Sequence, residues 1–353
     1  MPIIKKLRIL TFVDQIADTT IPFELAVQLS KRPRVNVSFA TFAISLEEDK
    51  LSNIEYILLP RYNIIYQVVS FIFYVKKHNI NVIHTNHTKG ALLMILISKI
   101  LPLIFSNNIK WVHTVHNDYN FFKKFQKIIF KKAIINADKI ICNSINTYNS
   151  LHLSINNYSV IYNGVNIKKV QLYKGNKPKS KIILSANRLV PQKNLITLLK
   201  AFGKLSPKYS DWNLYLCGDG PLLANLKLLA NELGCLEKIT FFGNVNREKV
   251  YKLMNTSSIY VTPSFWEGFC NANVEAMAAG NALINSDVQP LPEIAGDAAL
   301  YFNPHNIDSL VEKLEILMSN NKKLEELRSI GYKRAELYDI NIAAKNYNNF
   351  ILK

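Results

Sequence analysis

Short apolar runs rich in β-branched and aromatic residues alternate with longer stretches of helical character along the whole chain. In the first half, Leu7–Val13, Val35–Phe42, Val82–Thr85, Trp111–Val115, Lys139–Cys142 and Ser159–Tyr162 have the length and composition of strands, and the segments between them leave room for helices. The second half repeats this layout. Strands are predicted at Lys181–Ala186, Asn213–Cys217, Lys238–Phe242, Ile259–Thr262 and Ala282–Asn285. Helices are predicted at Leu195–Leu205, Pro221–Leu233 and Asn273–Ala279, and helical periodicity returns over Ile307–Leu337. Alternation of this kind packs as a parallel sheet with helices on both faces.

A polar, turn-rich stretch, Lys174–Ser180, separates the halves and reads as a linker. The expected architecture is α/β, with two Rossmann-like doubly wound domains facing a central cleft. Residues 1–174 form the first domain, 175–335 the second, and 336–353 a C-terminal helix packing back on the first. In such sheets ligands bind beyond the carboxyl ends of the strands, so chemistry is expected in the strand-to-helix turns.

Two apolar segments invite a membrane or targeting reading. Ala91–Phe105 is nearly all apolar, but Ser98, Lys99 and Pro102 interrupt it and it falls short of the roughly 20 residues a span requires. It reads as a buried helix. Met1–Val13 joins a basic patch to a short apolar run that Asp14 ends, with no small-residue cleavage site, and reads as a first strand. The cysteines Cys142, Cys217, Cys235 and Cys270 form no CxxC pair and no metal-ligand spacing, which argues against a disulfide framework and for a reducing, cytoplasmic setting.

Charge changes the picture more. Forty-three Lys and Arg face 26 Asp and Glu, a formal net of +17. The first 175 residues hold 22 of the basic and 9 of the acidic residues. Such a field favours anionic partners, whether membrane lipid, nucleic acid or an acidic substrate. Lysine-rich composition alone would also produce it. No zinc-finger, RNP-type or aromatic-platform motif supports specific nucleic-acid binding.

The densest chemistry lies between Val261 and Gly296. Glu267 ends a loop rich in turn formers, and Glu275 is expected in the first turn of a helix capped by Asn271 or Asn273 and ended by Gly280. The start of that helix suits a phosphate, and a carboxylate beside it can accept from ribose hydroxyls or simply complement the helix dipole. Arg188 and Lys193, in the turn after the strand Lys181–Ala186, can clamp a diphosphate or stand as ordinary surface charges. Gly218 and Gly220 permit close backbone approach in a third turn, and backbone groups at Asn244 and Val245 could meet a base. In the first half, His113 and His116 close a strand, and a histidine so placed can donate to a sugar hydroxyl or leaving oxygen. His84 and His87 form a similar, weaker cluster.

These segments together resemble glycosyltransferase family 4, a group of retaining GT-B enzymes. EGFCNANVEAMAAG at 267–280 resembles the family's E-x7-E segment, and NRLVPQKN at 187–194 its G-R-L-x-x-x-K-N segment. YNGVN at 162–166 and ADKIICNS at 137–144 also fit, so the resemblance runs from about Trp111 onward. It implies that Arg188 and Lys193 hold the donor diphosphate and Glu275 the ribose. It implies that Glu267 contacts the transferred sugar and that backbone groups of Phe269, Cys270 and Asn271 meet phosphate or sugar. It implies that His116 touches the donor sugar, and that no metal or other cofactor is required. Two departures stand out: Asn187 replaces a common glycine, and the loop Val13–Pro22 has none, leaving Asp18 and Thr19 as candidate contacts there.

The expected function is retaining sugar transfer from a nucleotide sugar, UDP-linked first and GDP-linked next, to a glycan or lipid-linked acceptor in cell-envelope polysaccharide or lipopolysaccharide assembly. A nucleotide-sugar epimerase of the same fold, or a charge-driven binder without transfer activity, are the rivals. Asn120–Asn136 pairs lysines at 123, 124, 127, 131 and 132 with an apolar stripe of Phe121, Phe125, Ile128, Ile129 and Phe130, and so reads as a helix that could lie on an anionic membrane at the inner face of the cytoplasmic membrane.

Overall fold

The structure is a computed structural model that describes residues 6–17, 21–46, 54–60, 62–105, 109–153, 155–175 and 180–352. Asp18, Thr19 and most of the polar stretch after Lys174 lie outside the described residues. The chain divides into two compact units, Met1–Gly164 with Ile340–Lys353, and Val165–Asp339.

The first unit is built on seven parallel strands: β1 (Leu7–Phe12), β2 (Val35–Thr41), β3 (Glu55–Leu58), β4 (Val82–Thr85), β5 (Lys110–Val115), β6 (Lys139–Cys142) and β7 (Tyr158–Val160), in spatial order β3-β2-β1-β4-β5-β6-β7. The central strands are mostly apolar and buried because helices cover both of their faces, whereas β3 at the edge is largely exposed. Leu10, Phe12, Ile83 and Trp111 face a layer formed by α2 (Ile64–Lys77), α3 (Thr88–Ile97), α4 (Leu101–Ile104) and α5 (Lys124–Asn136). Their alternating neighbours Leu7, Ile9, Val82 and Val112 face α1 (Ile21–Ser30) and the C-terminal helix, here α15 (Ile340–Leu352). α6 (Ile145–Ser150) follows β6. Ala344, Tyr347 and Ile351 anchor α15 in that core. Gly164 lets it approach: a Cβ there would lie 2.7 Å from the Ile340 Cα.

The second unit repeats the design with β8 (Ser180–Ala186), β9 (Asn213–Cys217), β10 (Ile239–Gly243), β11 (Ser257–Thr262), β12 (Ala282–Ser286) and β13 (Ala299–Phe302) in parallel order β10-β9-β8-β11-β12-β13. Its helices are α7 (Ile167–Gln171), α8 (Leu195–Leu205), α9 (Leu223–Glu232), α10 (Arg247–Thr256), α11 (Asn271–Ala278), α12 (Leu291–Ala295), α13 (Ile307–Ser319) and α14 (Asn321–Ala335). In both sheets the order reverses beside the first strand, between β1 and β4 and between β8 and β11. Those reversals are the topological switch points where α/β sheets bind ligands.

Several expectations change. The division falls at Gly164/Val165 rather than after residue 174, because α7 belongs to the second core: Ile167 and Val170 are buried, and the Val170 carbonyl accepts from Asn255 Nδ2 at 2.9 Å. The return to the first unit starts at Ile340 rather than 336, since Tyr338 is buried and its hydroxyl donates to the Ile294 carbonyl at 3.0 Å. Ala91–Phe105 is two helices, not one buried helix. The chain breaks between Ile97 and Leu101, Pro102 sits in the first turn of α4, and Leu92, Leu96 and Leu103 are exposed. Among the described residues no helix is long and apolar enough to cross a membrane.

Candidate active site

Three loops leave the carboxyl ends of β8, β9 and β10 and bond to one another before they can meet a ligand. Asn187 N donates to the Cys217 carbonyl at 2.9 Å, Leu189 N to that of Asp219 at 2.9 Å, and Gly218 N to that of Gly243 at 2.8 Å. This packing explains the glycines. Gly218 has φ +125°, and a Cβ on it would fall 1.9 Å from the Asn187 carbonyl oxygen; one on Gly220 would fall 2.5 Å from that of Leu189. Their first requirement is therefore the neighbouring loop, not the approach to a ligand that the sequence suggested. Asn244 and Val245 follow β10 on the same edge, the former exposed and the latter half-buried.

Across the switch point, the loop after β8 clamps the loop after β11. Phe265 N donates to the Gln192 carbonyl and Gln192 Nε2 to the Trp266 carbonyl, both at 2.9 Å. The same contact brings two predicted site residues together: Lys193 Nζ donates to Glu267 Oε1 at 2.5 Å, and Ser264 Oγ donates to the same oxygen at 2.6 Å. Glu267 is buried, so the pair is shielded from bulk water. An ammonium has three donors, and Glu267 engages one of those on Lys193. Arg188, in the same loop, is exposed, and its guanidinium pairs with no carboxylate among the described residues.

The helix after Glu267 differs from expectation at its start. Neither Asn271 nor Asn273 caps α11. Cys270 does so from the left-handed region, φ 66°, without a side-chain bond. Asn273 Oδ1 instead accepts from Thr262 Oγ1 at 2.6 Å, and Asn271 Oδ1 is buried with no partner among the described residues. Burial first, and then the nearby Glu267 carboxylate, push the Cys270 thiol up to about 12, so it stays protonated. Phe269 is buried with its ring edge on Tyr338. The far end follows the sequence: Gly280 has φ 74°, its N–H bonds the Met277 carbonyl, and Asn281 N bonds that of Ala276, a Schellman ending.

Glu275 therefore stands a turn inside α11, and it does not merely complement the helix dipole. Arg247 Nη2 from α10 forms an ion pair with Glu275 Oε1, and Tyr251 OH donates to the same oxygen at 3.3 Å. The carboxylate is buried and held by two groups that sequence reading missed. The signal available was their spacing of four, which puts both on one face of a helix.

In the first unit, β4 and β5 are neighbours, which merges the two histidine clusters. His84 and His113 are fully inside. His84 Nε2 meets Thr114 Oγ1 and His113 Nδ1 meets Thr85 Oγ1, each at 2.8 Å. Burial pushes both imidazoles down to about 3, so they are neutral core groups. His116 lies at the strand end with part of its surface in contact with solvent, and its Nε2 is 3.1 Å from Asn86 Oδ1. Its carbonyl accepts from Asn143 Nδ2 at 2.8 Å. Crowding by protein, then by His87, His84 and His113, holds it well below the usual imidazole range. It is a neutral ring at pH 7, and because Asn86 Nδ2 donates to the Phe12 carbonyl, the Oδ1 facing His116 can only accept, which puts the ring proton on Nε2 and leaves Nδ1 as an acceptor.

The structure thus brings Lys193 to Glu267 and sets Arg188, Gly218, Gly220, Asn244, Val245, Phe269, Cys270, Asn271 and Glu275 along one edge of the second unit. His116 stands on the corresponding edge of the first. Among the described residues no group of three or more His, Cys, Asp or Glu could hold a metal.

Two doubly wound units with this order of strands have the GT-B fold. Comparison with known proteins fixes the family. The Glycosyltransferase Family 4 profile matches residues 23–169, and the Glycosyl transferases group 1 profile matches residues 168–334. The chain belongs to glycosyltransferase family 4. It is 35% identical over 207 residues to an uncharacterized glycosyltransferase of Methanocaldococcus jannaschii, covering 57% of this chain and 54% of that protein. It is 27% identical over 233 residues, covering 62% and 61%, to the N-acetylgalactosamine-N,N'-diacetylbacillosaminyl-diphospho-undecaprenol 4-alpha-N-acetylgalactosaminyltransferase of Campylobacter jejuni. The chain spans about half the length of the curated relatives it matches. Among solved structures, Anabaena HepE in complex with UDP-glucose superposes with a TM-score of 0.83 at 17% identity, over 98% of this chain and 99% of that one. A likeness at that identity concerns the fold.

Proposed function

We propose that this chain transfers a sugar from a nucleoside diphosphate sugar to a glycan or lipid-linked acceptor, with retention at the anomeric carbon. The observation that carries the reading is the pairing across the second switch point of Lys193 with Glu267, beside a buried Glu275 that is already held in place. In this reading Arg188 and the two remaining donors of Lys193 hold the diphosphate, together with the N–H groups that open α11. Glu275 Oε2 accepts from the ribose hydroxyls while Oε1 stays with Arg247 and Tyr251. Asn271 Oδ1, buried and without a partner among the described residues, accepts from a donor hydroxyl. Backbone groups at Gly218, Gly220, Asn244 and Val245 border the base, and those of Phe269 and Cys270 the phosphate or sugar. His116 Nδ1 accepts from a hydroxyl of the transferred sugar.

The bond from anomeric carbon to diphosphate oxygen breaks as the acceptor oxygen bonds that carbon from the same face. The departing diphosphate, neutralised by Arg188 and Lys193, takes the acceptor's proton. Glu267 Oε1 is engaged by Lys193 and Ser264, so Glu267 positions the cation and is not assigned as a nucleophile. No metal or other cofactor enters this scheme. HepE, solved with UDP-glucose, supports a UDP-sugar donor; GDP-sugars are the next candidates by family resemblance alone. The name of the Campylobacter relative specifies a diphospho-undecaprenol acceptor, which supports a lipid-linked acceptor here; with such an acceptor we place the transfer in cell-envelope polysaccharide or lipopolysaccharide assembly in the cytoplasm, at the inner face of the cytoplasmic membrane.

A thermal-shift screen against UDP, GDP, ADP and their sugar conjugates, followed by a transfer assay with lipid-linked acceptors, tests the reading. A shift with one diphosphate family and sugar transfer to an acceptor are expected. Conversion of the sugar nucleotide without any acceptor would identify an epimerase instead.

A further inference from the structure

We infer that the α2–α5 layer of the first unit is a docking surface for an anionic lipid bilayer. The inference extends the membrane placement above and does not depend on sugar transfer. The sequence pointed to α5 alone, but α5 buries Ile129, Phe130, Ala133 and Ile134 against the sheet, so half of its apolar stripe is spent inward. What remains outside belongs to a wider surface. Ile65 and Phe73 on α2 are 74% and 67% exposed, Leu103 on α4 is 85% exposed, and Phe125 on α5 is 65% exposed. These helices carry apolar side chains on both faces, whereas a helix bordering water is ordinarily polar on its outer face. In the second unit, by contrast, no large hydrophobic of α13 or α14 is exposed, and α8 and α9 expose one each, Ile196 and Leu228.

Charge selects the occupant. Between Glu55 and Asp138 the sequence holds a single carboxylate, Asp118, against eleven Lys and Arg. A cavity of about 440 Å³ at the end of this layer is lined by Lys6, Arg8 and Lys76 together with Ile104 and Phe105 from the end of α4. None of the three cations has a carboxylate partner among the described residues. Cations next to exposed apolar side chains match lipid phosphates above acyl chains, and the exposed Tyr66 suits the headgroup level between them. A second copy of the chain fits less well, because a twofold contact through this face would oppose two strongly basic surfaces.

The test is flotation of the full chain with vesicles of phosphatidylcholine alone and of phosphatidylcholine with phosphatidylglycerol. The protein is expected to float with the anionic vesicles and to be released by high salt. Two variants probe the two halves of the surface: Phe73→Glu with Leu103→Glu, and Lys6→Gln with Arg8→Gln and Lys76→Gln. Each is expected to weaken binding about tenfold or more, with circular dichroism and melting unchanged. No binding to anionic vesicles overturns the inference, as does binding that both variants leave intact. A concentration-dependent dimer that Phe73→Glu with Leu103→Glu dissociates, without vesicle binding, assigns the face to a second copy. Vesicle binding without any nucleotide shift would leave the docking surface standing and remove the donor reading alone.

Discussion

Arg247 and Tyr251 both end on Oε1 of Glu275, a carboxylate with 8% of its side-chain surface exposed. Removing one partner of a buried pair leaves the other charge uncompensated, at a cost of about 3–5 kcal/mol. Arg247→Ala should therefore destabilise the second unit by about 3 kcal/mol in urea unfolding and weaken nucleoside diphosphate binding, with Arg247→Lys recovering part of both. Unchanged unfolding would show that the pair holds nothing in place. The histidines give a second residue-scale prediction. His84 and His113 titrate near 3 in the folded chain because they are buried, whereas an unfolded chain takes up those protons below about 6.5. Stability is then fully present above about 6.5 and declines as pH falls toward 3, by up to about 1.4 kcal/mol per pH unit for each histidine. Urea melts at pH 7.5 and pH 5 check this; equal midpoints would contradict it. The meeting of Lys193 with Glu267 was legible in outline, because both follow the carboxyl ends of adjacent strands, β8 and β11, where such sheets bind ligands. Arg247 and Tyr251 were not, because their role arises from the packing of α10 beside α11, which no local pattern encodes.

At the scale of elements, the site edge is a stack of loops. Gly218 lies against the Asn187 carbonyl so closely that Gly218→Ala must displace one loop from the other. That substitution, also disfavoured by φ +125°, should cost at least about 1–3 kcal/mol and weaken donor binding, since Arg188 and Lys193 share the displaced loop. Melting and binding measured together test it, and loss of neither would place the loop contact outside the site. Period and composition revealed every central strand and two edge strands, β7 and β10. β3 and β13 were missed: each is four residues at a sheet edge and only partly buried, β3 least of all, so burial imposes little pattern on them. The helix start at Asn271 was misassigned for a different reason. Asn is a common cap, but Thr262 claims Asn273 and the backbone at Cys270 turns left-handed instead.

On the scale of the whole molecule, each of the two sheets has a switch point, and polar side chains gather beside both: Lys193, Glu267 and Glu275 in one unit, His116 with Asn86 in the other. The alternation of strands and helices made this architecture readable from the sequence. The boundary at Gly164/Val165 was not, because α7 looks like linker until its buried side chains are seen in the second core. The positive charge of the first half likewise had no address until the α2–α5 layer showed where it lies beside exposed apolar side chains.

The central claim is that the second unit binds a nucleoside diphosphate through Arg188 and Lys193, and calorimetric titration of UDP and uridine, with GDP and guanosine in parallel, in the presence of EDTA tests it most directly. The account predicts that one diphosphate binds the native chain and that Arg188→Ala and Lys193→Ala each weaken it by about ten- to a hundredfold, while the matching nucleoside binds as before. Absence of any diphosphate binding, or equal losses for diphosphate and nucleoside, would contradict it.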